Sequence, residues 1–265
     1  MSRKILFAFR TFIIFLMGAV QLALADSVNP VVVAVTQIAP HPSLDAIRQG
    51  ILDELDAQNQ SVKIVYENAQ GNIALAAQIA QKFISLDPKP KVIVSITTPS
   101  AQATYNIARK HDIPVIFTAV SDPVAAKLID AETRINPGIT GISDFAPIEQ
   151  QLGLILSIQP KLKKLGVLYN AAEVNSISII EKLESQCTSQ GIELVKIAAS
   201  TTQEVATAAA SLHGKIEALY IPNDNTIVSS LESVIKMLGD TIPIYASDPQ
   251  SVERGCLAAA TFSQY

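Results

Sequence analysis

The stretch YIPNDNTIVSSLESVIKMLGDTIPIYASDPQSVERG, Tyr220 to Gly255, decides the fold. It reads as the end of a strand, a polar turn, a helix, a short strand and a second polar turn. Each turn carries an aspartate, Asp224 and Asp248, just after an apolar run. In an open α/β sheet that is the edge where ligands bind. The chain contains a counterpart. VIVSITTPSAQATYNIARKHDIPVIFTAVSDPVAA, Val92 to Ala126, gives a strand, a polar turn, a helix, an Ile-Pro strand and a Ser-Asp-Pro turn. One chain has built the same kind of edge twice.

Outward from these stretches, strands and helices alternate. Val31 to Val35 is a continuous apolar run, as expected of a strand buried on both faces. A helix is predicted from Ser43, its N-cap, to Gln58, with Leu44, Ile47, Ile51, Leu52 and Leu55 on one face. Val62 to Tyr66 is a strand and Ile73 to Leu86 a helix stopped by Pro88. Val92 to Ile96, a helix from Ser100 to Lys110, Val115 to Phe117 and Ile139 to Ile142 follow. The crossing to a second half is placed at Ser143 to Pro147. There the predicted order is helix 148–158, strand 165–169, helix 174–190 stopped at Gly191, strand 192–197 and helix 202–212. Strand 218–221, one helix from Thr226 to Leu238, strand 244–246 and a last strand from Cys256 to Phe262 complete it. Such alternation indicates parallel sheets. The domains are drawn as an N-terminal lobe at 26–142 and a C-terminal lobe at 143–265.

The first 25 residues read as a cleavable signal peptide. Arg3, Lys4 and Arg10 form the basic start, an apolar run follows, and Ala23-Leu24-Ala25 is an A-x-A site. Export, to a bacterial periplasm, is the expected address. Beyond residue 25 remain 17 basic and 24 acidic residues, a net charge of −7. That acidity argues against a nucleic-acid partner. The two cysteines, Cys187 and Cys256, are read as ordinary thiols, although an oxidising compartment would permit a bond between them.

Phosphate-loop and nucleophile-elbow motifs are missing from the sequence, and its three histidines, His41, His111 and His213, have no metal-ligand spacing. No enzyme activity and no cofactor are expected. What remains are small polar residues at strand ends. Thr97, Thr98 and Ser100 precede a helix, where free N–H groups attract a carboxylate, or where they serve only as caps. Asp122 and Asp248 are either acceptors for an ammonium or turn starters. Asn170, Asn175, Ser176, Asn223 and Asn225 offer hydrogen bonds from the second half. His41 lies in a ligand-edge turn. Phe117, Phe145, Tyr169, Tyr220 and Tyr245 are either pocket aromatics or core. The pairwise recurrence points to a two-lobed binder of a small zwitterion.

At these residues the sequence resembles the periplasmic substrate-binding proteins of ABC transporters, in the branch for tryptophan or tyrosine. The resemblance rests on VAVTQIAPHPSLDAIRQGILDEL, NAQGNIALAAQIAQKF, TTPSAQA, IPVIFTAVSDPVAAKL, GVLYNAAEVNSISIIEKL, ALYIPNDNTIVSSLESVIK and ASDPQSVERG, in that order. It implies a type I periplasmic binding protein: two Rossmann-like α/β lobes with parallel sheets, joined by a hinge that closes on a solute. On the matching positions it implies that Ser100, Ala101 and Gln102 bind the carboxylate end and that Thr118 and Asp122 complete the first-lobe wall. Asn170, Asn175, Asn225 and Asp248 would bind from the second lobe, with Asp248 taking the amino group. The implied partners are an amino acid, an ABC permease and its ATPase, with membrane contact only through the permease. A periplasmic sensory module signalling to a receptor is the alternative reading. Family members are expected to continue past the strand matching Cys256 to Phe262, so that a truncated form ending at Tyr265 is expected here.

Overall fold

The computed structural model describes residues 30–58 and 62–261; the segment read as a signal peptide and the end of the last expected strand lie outside them. The first sheet is built from β1 (Val31–Gln37), β2 (Val62–Asn68), β3 (Val92–Ile96), β4 (Val115–Val120) and β5 (Ile139–Ser143), in the order β2-β1-β3-β4-β5. The second is built from β6 (Lys164–Tyr169), β7 (Glu193–Ala198), β8 (Ala218–Ile221), β9 (Ile244–Ala246) and β10 (Ala258–Ala259), in the order β10-β9-β8-β6-β7. Read from opposite ends, the two orders are the same. β3 pairs in parallel with β1 and β4, and β8 pairs in parallel with β6 and β9. The strand order therefore reverses once in each sheet, between β1 and β3 and between β6 and β8. Such switch points are where open α/β sheets bind ligands.

The core follows from the apolar runs. Val33, Val35, Val94 and Ile96 pack on one face of the first sheet, while Ala34, Ile93, Val115 and Phe117 join a second cluster with Phe83 and Tyr105. In the second sheet, Leu168, Leu219 and Ile244 point to one cluster, and Leu165, Val167, Tyr220 and Tyr245 to the other. Alternate residues of each strand thus feed opposite layers, as the period-2 pleat requires. The first helix of the second lobe, α4 (Ile148–Ile158), contributes Ile148, Leu152 and Ile155 to that lobe's core. The chain therefore changes lobes between Ser143 and Ile148. On the first-lobe side of this passage, Gly141 lies opposite Phe117. A Cβ there would stand 2.1 Å from the Phe117 carbonyl oxygen, so β5 can approach β4 only with glycine at this position.

Four local expectations need correction. The first helix, α1 (Pro42–Ala57), is capped by His41, not Ser43: the His41 Nδ1 accepts the Ser43 N–H at 3.3 Å, and Pro42 occupies the first turn, where its missing N–H costs nothing. After α2 (Ile73–Ile84), the helix α3 (Thr98–Ala108) starts two residues earlier than expected, with Pro99 inside its first turn. Following α5 (Val174–Ser189) and α6 (Thr202–Ala210), the expected single helix 226–238 is two, α7 (Asn225–Val228) and α8 (Leu231–Leu238). The Ser229 hydroxyl donates back to the Asn225 carbonyl at 2.6 Å, a bond that competes with continued helix, and Ser230 reaches toward the Thr202 carbonyl. Finally, Cys256 is not in a strand. Its N–H closes the turn after α9 (Gln250–Glu253) onto the Ser251 carbonyl, and pairing begins only at Leu257. Gly191 does stop α5, at φ 67°.

Candidate functional site

The carboxyl ends of both sheets meet. Ser43, just beyond β1, donates its hydroxyl to Gln250 Oε1, just beyond β9, at 2.7 Å. Asp122, just beyond β4, accepts the Ser178 hydroxyl of α5 at 2.9 Å and lies 3.5 Å from the Lys182 ammonium one turn on. Lys182 also stands 4.8 Å over the ring of Phe145, in the passage between lobes. The space between these two sets of contacts is bounded by the two switch points.

The first-lobe wall is a cluster of buried polar atoms with no hydrogen-bond partner in the protein: Thr36 Oγ1, Ser95 Oγ, Thr97 Oγ1, Thr98 Oγ1 and Ser100 Oγ. Leaving such groups dry and unpaired costs roughly 1–3 kcal/mol each. All five sit at the end of β1, the end of β3 or the first turn of α3. The backbone is also strained there. Thr97 has φ 85° and ψ 160°, a region almost reserved for glycine, and is held by its N–H bond to the Thr118 carbonyl at 2.9 Å. Ala119, at φ 53°, sits where the β4 register shifts between Phe117 and Val120. His41 completes this wall. Burial holds its imidazole below the ordinary pKa, against the opposing pull of Asp248 from the other lobe. With Nδ1 accepting the Ser43 N–H, the ring proton belongs on Nε2, which is buried and unpartnered.

The second-lobe wall is a network instead. Asp224 is fully buried and accepts from the Asn170 N–H at 2.5 Å, the Ser176 hydroxyl at 2.6 Å and the Ile227 N–H at 2.9 Å. Burial, then the charge of Glu173, pushes its carboxyl up to about 7. Glu173 accepts from Asn175, Asn225 and Thr226. One polar atom in this wall is left over: Asn175 Oδ1 is buried without a partner. The assembly offers hydroxyl and imidazole donors on one side and an amide acceptor on the other.

The model of one protein family, described as ABC transporter substrate binding protein, matches residues 32–265. The chain belongs to this family. A curated relative, the tyrosine-binding protein of Clostridioides difficile, is 40% identical over 238 residues, or 88% of this chain and 68% of the relative. The ABC domain from Streptococcus pneumoniae in complex with L-Trp is 32% identical, with a TM-score of 0.82 over 88% of this chain and 79% of that one. A ligand-free, open substrate-binding protein with adhesive properties from Clostridium difficile is 38% identical. Its TM-score is only 0.58, over 85% and 77% of the two chains. The two α/β lobes are those of a type I binding protein. The more identical of these two structures is thus the one that superposes less well. The lobes of this substrate-binding protein touch through Ser43 with Gln250 and through Asp122 with Ser178.

The residues singled out from the sequence fall into distinct groups. Ser100 and Ala101 are buried in the first turn of α3, and the Ser100 hydroxyl is unpaired. Thr118 is partly buried and supplies its carbonyl to Thr97. Gln102 spends its amide N–H on the Ala126 carbonyl at 3.0 Å. Asp122 is engaged across the cleft. Against the cost of partial burial, the Ala125 N–H, the Ser178 hydroxyl and Lys182 hold its carboxyl below the usual range. Asn170 is committed within its own lobe, to Thr226 at 2.8 Å and to the Ala172 N–H at 2.8 Å. Asn225 gives its amide to Glu173 at 2.5 Å. Asp248 caps α9 through the Ser251 N–H and hydroxyl. Tyr220 and Tyr245 are core, their hydroxyls bonded to Gln151 and Gln159, and Phe117 is core as well. His213 bonds the Met237 carbonyl in the last turn of α8. Both cysteines are free, with burial pushing their thiols up to about 11 and about 12. Glu173 escaped the sequence reading. An isolated glutamate before a helix looks like a solvated first-turn charge, and only the fold buries it.

Proposed function

We propose that this protein is the exported solute-binding subunit of an ABC uptake system and that its solute is an amino acid, with aromatic side chains preferred. The observation that carries this reading is the pairing of unpartnered groups on the two walls. Thr97, Thr98 and Ser100 present buried hydroxyls at the N-terminal turn of an 11-residue helix, and Asn175 presents a buried carbonyl oxygen from the other lobe. Hydroxyl donors and the positive end of a helix dipole suit a carboxylate, and an amide oxygen suits an ammonium. The tyrosine-binding relative and the L-Trp complex support the aromatic preference. The closed lobes would then be delivered to a permease and its ATPase outside the inner membrane, in the periplasm, without turnover of the solute.

In this reading the Ser100 hydroxyl holds the carboxylate beside Ala101, with Thr118 and Gln102 lining that end. Asn175 and Asn225 face the amino group, Asn170 braces them, and Asp248 sets the field opposite His41. Asp122 latches the lobes through Ser178 and Lys182. Isothermal titration of the chain with L-tryptophan, L-tyrosine and L-leucine tests the reading. Binding of either aromatic amino acid, tighter than leucine, is expected. It should also raise stability by about 2.7 kcal/mol at a hundredfold excess over Kd. A folded protein that binds none of the three overturns the reading.

A further inference from the structure

Glu173 is 3% exposed, and among the described residues no lysine, arginine or histidine lies within ion-pair distance of it. Its Oε2 accepts two asparagine amides at once, Asn175 Nδ2 at 3.1 Å and Asn225 Nδ2 at 2.5 Å, together with the Asn225 N–H at 3.1 Å. Its Oε1 takes the Thr226 N–H at 3.0 Å and the Thr226 hydroxyl at 2.9 Å. A carboxylate is acceptor only. Each neighbouring amide must therefore turn its NH2 toward Glu173 and its carbonyl oxygen away. Asn175 is fixed twice, because its Nδ2 also donates to the Asn223 carbonyl at 2.9 Å. The consequence is visible at Asn175, itself 3% exposed, whose Oδ1 is left without a partner. Asn175 precedes Ser178 and Lys182 by three and seven residues on α5, so it lies on the helix face that meets the first lobe.

We propose that Glu173 is a positioning residue for recognition: it presets Asn175 and Asn225 as a pair of acceptors, so that the second lobe selects a protonated primary amine on the solute. This rests on the amino-acid reading above and deepens it. The amide oxygens, not Asp248, receive the ammonium, and the anion behind them polarises both carbonyls. That anion is desolvated once, during folding, instead of at every binding event. Preorganisation of this kind lowers the cost of association.

Titrations of the chain with L-tryptophan and 3-(indol-3-yl)propionate, and with L-tyrosine and 3-(4-hydroxyphenyl)propionate, test this. The native chain is expected to favour each amine over its des-amino analogue by about tenfold to a hundredfold, the range of a hydrogen bond to a charged group. In Glu173→Gln the side chain carries donors as well as an acceptor, so the Asn225 amide is free to turn over and Asn175 keeps its bond to the Asn223 carbonyl. The preference should then collapse to within about threefold while the des-amino affinities hold. Equal weakening of both ligands would make Glu173 a scaffold residue only and overturn the proposal, as would an unchanged preference in the variant or equal binding of both by the native chain. If the native chain binds none of the four ligands, the amino-acid reading fails first and takes this one with it. Should Glu173→Gln lose its cooperative melt, Asn175→Ala must collapse the same preference, and its failure to do so decides against the proposal.

Discussion

The two walls of the cleft come from the same strand order, yet they solve opposite problems. The first-lobe wall leaves hydroxyls of Thr97, Thr98 and Ser100 buried and unpaired on a strained backbone. The second-lobe wall pairs nearly everything, around two buried carboxylates, and leaves one amide oxygen over. The difference teaches where each wall meets its costs. Unpaired hydroxyls weaken the fold by roughly 1–3 kcal/mol each, a cost that a ligand repairs in the proposed reading. Buried carboxylates would weaken it greatly if unpaired, so they are satisfied during folding and, in the proposed reading, act on the ligand only through their donors.

That contrast can be broken most forcefully at Glu173. Glu173→Leu strands the Asn225 N–H, the Thr226 N–H and the Thr226 hydroxyl in the interior, and should cost about 3–5 kcal/mol in urea melts. A loss under about 1 kcal/mol would mean that the network is not what holds this wall. The next effect is on pH dependence. The Asp224 carboxyl is raised in the folded state, so the native protein holds a proton that the unfolded chain has released. Stability from this group is therefore present at low pH and is lost as pH rises from about 4 to about 7, by up to a few kcal/mol. Melts of the native chain and of Asp224→Asn across that window should differ in slope, with the variant flatter.

Ser100→Ala sharpens the contrast from the other side. Its hydroxyl has no partner in the protein, so removal should raise stability, by roughly 1–3 kcal/mol, while weakening amino-acid binding about tenfold by titration. A large stability loss without loss of affinity would assign it to the scaffold. The smallest effect belongs to the latch. Lys182 is half exposed, and Lys182→Ala should change stability by less than about 1 kcal/mol, an effect that fades in high salt. Small-angle scattering of that variant without ligand is expected to show a larger radius of gyration, since a contact between the lobes has gone.

Much of the fold was legible because it depends on local periodicity. The run Val31 to Val35, the repeated strand–turn–helix stretches and Gly191 each carry their own signal in a few neighbouring residues. The break between α7 and α8 was not legible, because Thr226 to Leu238 keeps an apolar helical period, while Ser230 reaches toward the Thr202 carbonyl of a distant helix. The cap at His41 was missed because histidine is an uncommon cap and the hydroxyl of Ser43 is instead drawn to Gln250, 207 residues away.

Of the candidate site, the sequence by itself determined where the polar turns fall: the ends of β1, β3 and β4 in one lobe and their counterparts in the other, since strand ends are set by local pattern. Only the tertiary structure decided what each side chain there does. Asp122, Asp224 and Asp248 are alike in sequence, an aspartate in a polar turn after an apolar strand. Folding makes the first a contact between lobes, the second a buried acceptor and the third a helix cap facing His41. The physical reason is that a carboxylate takes its role from its desolvation and from the donors around it, and both are supplied by residues distant in the chain.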